Sequence, residues 1–287
     1  MADALDTILE TTDPVQIATG FRFTEGPTWH PDGTLYFSDI HASLLYRLRD
    51  GGTPEVIREG TGEGNGTTFD LQGRLVTCEG GGRRISRWDF SRPVESLVER
   101  FEGGRLSRPN DVICATDGSL YFTDPGLRLP LADRELMYSS IYRIAPGGEV
   151  SLVANFEYPN GLALSADERT LYVSNTRFAQ FIHVLDLAED GAVTGRRIFA
   201  DMSSAEPDGV PDGMKLDVAG NVYCTGPGGC WVFDPQGVLL GIIRLPEIPA
   251  NLVFGGPDLR TIYFTARTSL YTLRGRIPGL PHPLFKG

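Results

Sequence analysis

A chain of 287 residues, 41% hydrophobic, with 35 Gly and 20 Pro, suits a folded, turn-rich protein of one large domain or two ordinary ones and excludes long helices and disorder. With 26 Lys and Arg against 37 Asp and Glu, the formal charge of -11 repels a phosphate backbone and attracts cations, so no nucleic-acid partner is expected. No apolar run approaches the roughly 18 residues that span a bilayer, so no membrane partner is expected either.

The opening stretch MADALDTILETTDP carries acidic residues where a secretory leader has a basic region, and no apolar run follows it, so a soluble, cytoplasmic protein is expected. Pro14–Phe21 (PVQIATGF) reads as one strand. A two-strand pattern then recurs: EGPTWHPDGTLYFSDI from Glu25, NGTTFDLQGRLVTCEG from Asn65, NDVICATDGSLYFTDP from Asn110, NGLALSADERTLYVSNT from Asn160, DGMKLDVAGNVYCTGP from Asp212 and NLVFGGPDLRTIYFTAR from Asn251. The spacing, about 40 to 50 residues, is that of a repeat architecture.

A third alternating segment follows every copy, from Ser43, Arg83, Ser139, Phe181, Cys230 and Ser269. A fourth follows the first five copies, from Pro54, Val94, Glu149, Val193 and Leu239. Four short strands per repeat predict an all-β, six-bladed β-propeller. The sixth repeat lacks its fourth strand, and Pro14–Phe21 supplies it, closing the ring without a free edge. One domain thus spans residues 1–287, with 1–13 and 275–287 peripheral.

The residue heading each copy, Glu25, Asn65, Asn110, Asn160, Asp212 or Asn251, carries a side-chain oxygen. Turn capping explains one or two of these, but it does not select Glu at Glu25 or the same position six times. The first strand of a propeller blade lines the channel, so six oxygens would face one axis. Two carboxylates among amides there need a counter-charge. All-oxygen donors favour a hard divalent cation, Ca2+ ahead of Mg2+.

The second-strand ends, Asp39, Glu79, Asp124, Asn175 and Arg267, fall at the same mouth, either as a second ring or as exposed turn residues. The long link Pro125–Ser139, with Leu127, Leu129, Leu131 and Met137, is either a lid or surface decoration. Cys78, Cys114, Cys224 and Cys230 show no metal-type pairing and are expected to be buried, reduced thiols. There is no GxSxG elbow and no zincin histidine pattern. His41 alone belongs at the mouth, more simply as a solvated side chain than as a catalyst.

TEGPTW with Glu25, SRPNDV with Arg108, Asn110 and Asp111, YPNGLALS with Asn160, and VPDGMKLD with Asp212 together resemble the regucalcin/gluconolactonase family. NGTTFDLQGRLVTCEGGGRRI is especially similar to its bacterial gluconolactonase branch. The resemblance covers about Thr24 to Arg274. It implies a six-bladed propeller with one divalent ion held by Glu25, Asn160 and Asp212, and Asn110 as a further ligand or a substrate contact. It also implies Arg108 as a substrate-binding residue and Asp212 as general base. The expected activity is hydrolysis of a sugar lactone, a small-molecule substrate, by a monomer or dimer. Zn2+, Mn2+ and Mg2+ stay open beside Ca2+. The rival readings are a phosphotriesterase of the diisopropyl-fluorophosphatase type and a non-catalytic calcium-binding propeller.

Overall fold

The computed structural model describes residues 4–49, 51–204 and 208–286. Six four-stranded antiparallel sheets stand around a central axis, the first five with their strands in sequential order. The first runs through Thr24–His30, Thr34–Asp39, Leu44–Arg49 and Glu55–Glu59. The sixth comprises Asn251–Gly255, Thr261–Ala266 and Ser269–Arg274, and its outermost strand is Val15–Thr19, paired antiparallel with Ser269–Arg274. The first strand of each blade packs on that of the next, and blade 6 closes against blade 1. The ring predicted from the repeats is therefore the fold, and the N-terminal strand is its closure.

Burial follows strand order. Inner pairs such as Leu120–Asp124 and Leu75–Glu79 are buried throughout, while the outermost Val15–Thr19 and Glu55–Glu59 are largely exposed. The core is divided among the seams between neighbouring blades. Phe122 and Val76 pack in one seam, Tyr121 and Leu171 in the next, and Tyr223 and Phe264 in another. Alternation along a strand explains this: Tyr121 and Phe122 point to opposite faces and so serve the seams on either side. Each such ring is worth about 2 to 3 kcal/mol of burial.

The flanking segments are packed rather than loose. Leu5, Ile8 and Leu9 join the seam of blades 5 and 6. After Arg274 the tail crosses the end of the channel opposite the first-strand starts. Its Gly279 and Leu280 N–H groups donate to Leu259 O and Leu216 O, both 2.8 Å, and His282 Nε2 lies 3.0 Å from Thr68 Oγ1. All four cysteines are free and buried. Among the described residues no helix is long and apolar enough to cross a membrane.

Candidate functional site

The inner strands approach one another unusually closely at their starting ends, because a glycine follows several of the leading residues. A Cβ at Gly26 would lie 2.0 Å from the carbonyl oxygen of Asn65, and one at Gly161 would lie 2.3 Å from that of Asp212. Either clash would push neighbouring blades apart. Hydroxyls from the second strands stitch the same seams: Ser38, Thr123 and Ser174 donate to the carbonyls of Asn65, Asn160 and Asp212 at 2.9, 2.9 and 2.7 Å.

This tight collar turns the leading side chains onto the axis. Asn65 Nδ2 donates to Asn110 Oδ1, and Asn110 Nδ2 donates to Asn160 Oδ1. Asn160 Nδ2 donates to Thr176 Oγ1 at 2.9 Å, and its side chain also hydrogen-bonds Asp212. Asn251 Nδ2 donates to Glu25 Oε2 at 3.0 Å. Glu25, Asn110 and Asn160 are buried, and Asp212 keeps part of its surface accessible. Of the four residues singled out in the sequence as metal ligands, Asn110, Asn160 and Asp212 share one hydrogen-bonded chain, and Glu25, bonded to Asn251, is linked to them through its charge on Asp212.

Burial, then the charge of Asp111, lifts Glu25 to about 7. Burial, then the charge of Glu25, pushes Asp212 well above the ordinary carboxylate range, and Arg128 opposes that rise. Both carboxyls are thus reluctant anions for want of positive charge. Among the described residues no cluster of three or more His, Cys, Asp or Glu could hold a metal ion by itself, so a cation here would draw on the amide oxygens as well. A donor set of two carboxylates and neutral amide oxygens fits a hard dication.

The second-strand ends take another part. Asp39 accepts the N–H groups of Arg22 and Phe23 at 2.8 and 3.0 Å, Asp124 those of Ser107 and Arg108 at 2.7 and 2.6 Å, and Asn175 that of Tyr158 at 2.9 Å. They fix the chain entering each first strand instead of forming a second ring. Glu79 is held by Arg58 at 2.6 Å and Arg84 at 2.7 Å. Arg108 stands at the mouth, ion-paired with Glu63 of blade 2. His41 is exposed beside the Phe23 ring.

Three residues of the site were given no role from the sequence, although Asp111 was named within the SRPNDV motif. Arg128, on the long link of blade 3, donates from Nη1 to Asn110 Oδ1 at 2.8 Å. Asp111, buried, feeds its charge to Glu25 and accepts the Val112 N–H at 2.9 Å. Lys215 lowers the pKa values of both Glu25 and Asp111. The repeats did carry a signal for Asp111, which occupies the position of Gly26, Gly66, Gly161 and Gly213. Lys215 likewise falls in register with Thr28, Thr68, Ile113, Ala163 and Phe254 as the only charged residue of that tier.

Residues 23–268 match the family model described as SMP-30/Gluconolactonase/LRE-like region. A gluconolactonase of Zymomonas mobilis is 32% identical over 302 residues, spanning 96% of this chain and 85% of that protein. A pentonolactonase of Haloferax volcanii is 30% identical, spanning 87% of this chain and 83% of that protein. Among solved structures, a gluconolactonase from Xanthomonas campestris is similar at 38% identity with a TM-score of 0.87, over 95% of this chain and 92% of that one.

Proposed function

The chain belongs to the SMP-30/gluconolactonase/LRE-like family, and from that premise we propose that it opens a sugar lactone such as gluconolactone. In this reading a divalent cation, Ca2+ first among the candidates, is held by Glu25, Asn110, Asn160 and Asp212. The observation that carries it is a pair of carboxyls, Glu25 of blade 1 and Asp212 of blade 5, whose pKa values are both raised, Glu25 by burial and then Asp111, Asp212 by burial and then Glu25. Such a pair is costly alone and is stabilised by a dication.

A cation so held supplies Lewis-acid polarisation of the acyl oxygen and compensates negative charge. Asp212 is the general base. It takes a proton from the attacking water as the new bond to the acyl carbon forms, and returns one to the ring oxygen as the ring C–O bond breaks. Burial and the charge of Glu25 raise its pKa, which disfavours the carboxylate form that a base needs, and a bound cation would favour that form. Asn110 and Arg108 contact the substrate, Arg108 from the rim and Asn110 from the floor.

The test is to strip metal with chelator, add back single ions, and follow acid release from sugar, aliphatic and aromatic lactones. Ca2+-restored opening of gluconolactone or a pentonolactone is expected. Acid release that persists undiminished in chelator removes the cation from the reading, and none from any lactone with any ion removes the lactonase itself.

A further inference from the structure

The links between second and third strands at the mouth are short in most blades. In blade 6 the link is Arg267–Thr268, and in blade 1 it covers residues 40–43. Blade 3 instead spends residues 125–138 there, organised as two 3-10 turns, Gly126–Arg128 and Leu131–Asp133. Its far half is clamped. Glu135 accepts the Arg105 N–H at 3.0 Å and Arg100 Nη1 at 3.2 Å, Arg134 donates twice to Leu129 O at 2.9 and 2.7 Å, and Leu136 packs into the seam of blades 2 and 3. Leu131, Met137 and Tyr138 stay about two-thirds exposed at its rim.

The near half delivers Arg128 to the acidic floor. Arg128 is half-buried as a residue, donates from Nη1 to Asn110 Oδ1, and has no ion-pair partner among the described residues. Arg108, by contrast, has an ion-pair partner, Glu63, for its Nη2. A guanidinium offers five N–H donors in a planar fork suited to the two oxygens of a carboxylate or an acyl centre. No nitrogen of Arg128 is both buried and unpartnered, so the donors that Asn110 does not use stay accessible at the mouth, where a ligand can take them.

Resting on the lactonase reading, we infer that Arg128 is a catalytic residue and that residues 125–138 are the lid that carries it. As the water oxygen bonds to the acyl carbon, the carbonyl π pair moves onto the acyl oxygen, and the Arg128 fork donates to that oxygen. When the pair re-forms the carbonyl, the ring C–O bond breaks and the ring oxygen leaves with a proton. The fork then spans the two oxygens of the product carboxylate.

The experiment uses the full-length, Ca2+-loaded protein with Arg128→Gln, which keeps a donor for Asn110 but no charge, and Arg128→Met. Gluconolactone opening gives kcat and KM, calorimetry gives the affinity for sodium gluconate, and thermal melting reports the fold. Expected for both variants is a loss of about a hundredfold in kcat with KM changed much less, gluconate binding weakened about tenfold, and an unchanged melting temperature for Arg128→Gln. Added guanidinium ion should restore part of the kcat of Arg128→Ala and none of the wild type's. Arg128→Gln within twofold of wild type in kcat and gluconate affinity overturns the inference. If wild-type protein opens no lactone, the lactonase reading fails by itself. The gluconate arm still decides on Arg128, equal affinity in wild type and Arg128→Gln overturning it.

Discussion

The same six inner strands make two different ends of one channel. At their starts, oxygens of Glu25, Asn110, Asn160 and Asp212 gather with no apolar neighbour in the ring, and Arg128 reaches in from above. Three residues further on, Thr28, Thr68, Ile113, Ala163, Lys215 and Phe254 surround a cavity of about 130 Å3, closed by Leu280, Pro281 and His282 of the tail. His282 is pushed down to about 4 by burial and then by Lys215, so it sits there neutral. A closed ring can therefore accept a costly collection of like charges at one end, because packing at the other end and in the six seams holds the blades in place. Lys215 belongs to both ends, tempering Glu25 and Asp111 from below.

That contrast breaks most visibly through Asp212. With Asp212→Asn, kcat for lactone opening should fall about a thousandfold, while the melting temperature holds or rises, because a reluctant buried anion has been removed. A loss of folding instead of kcat would mean that the acidic end is structural. Glu25→Gln should weaken Ca2+ binding, read by calorimetry, by about a hundredfold, since half of the anionic charge on the axis is gone.

The metal-free protein offers a sharper version through pH. Glu25, raised from 4.5 to about 7, binds its proton more tightly folded than unfolded. Stability from that proton is full below pH 4.5 and is lost as pH rises through 7, and Asp212 acts in the same direction. In chelator, unfolding free energy should therefore drop by up to about 3 kcal/mol between pH 4.5 and 7. Saturating Ca2+ should cancel most of that slope. A metal-free protein that grows steadily more stable across this window would contradict the charge state assigned to the floor.

Changes at the closed end should move stability and leave chemistry alone. A Cβ at Gly279 would lie 2.1 Å from the Phe254 ring, so Gly279→Ala should cost about 1 to 3 kcal/mol by overpacking. His282→Ala removes the contact with Thr68 and should cost about 1 kcal/mol. In both, kcat/KM within about twofold of wild type is the expected result. A large loss of activity with normal melting would show that the two ends are coupled through Lys215.

Legibility in the sequence followed locality. Hairpins announce themselves by alternation and turn chemistry, so strand after strand could be read, and the unpaired Val15–Thr19 could be assigned to blade 6 from the missing fourth strand. The leading oxygens were legible because a repeat puts equivalent residues at equivalent places. Asp39, Asp124 and Asn175 were placed at the correct end, but whether such a side-chain oxygen faces solvent or accepts from backbone N–H groups depends on the path of the chain entering the blade's first strand, which alternation does not encode. Arg128 was hidden for a different reason, since it lies in the extra length of a link that is short in the other repeats and had no register to be compared in.

What the sequence determined by itself was therefore the count of blades, the closure of the ring and the six positions that face its axis, all consequences of period-two patterning repeated along the chain. Only the tertiary structure decided which charges meet. Electrostatic neighbours such as Glu25 and Asp212, or Arg128 and Asn110, are set by how closely the blades pack and where one loop folds over, and those distances are fixed by contacts between residues far apart in sequence.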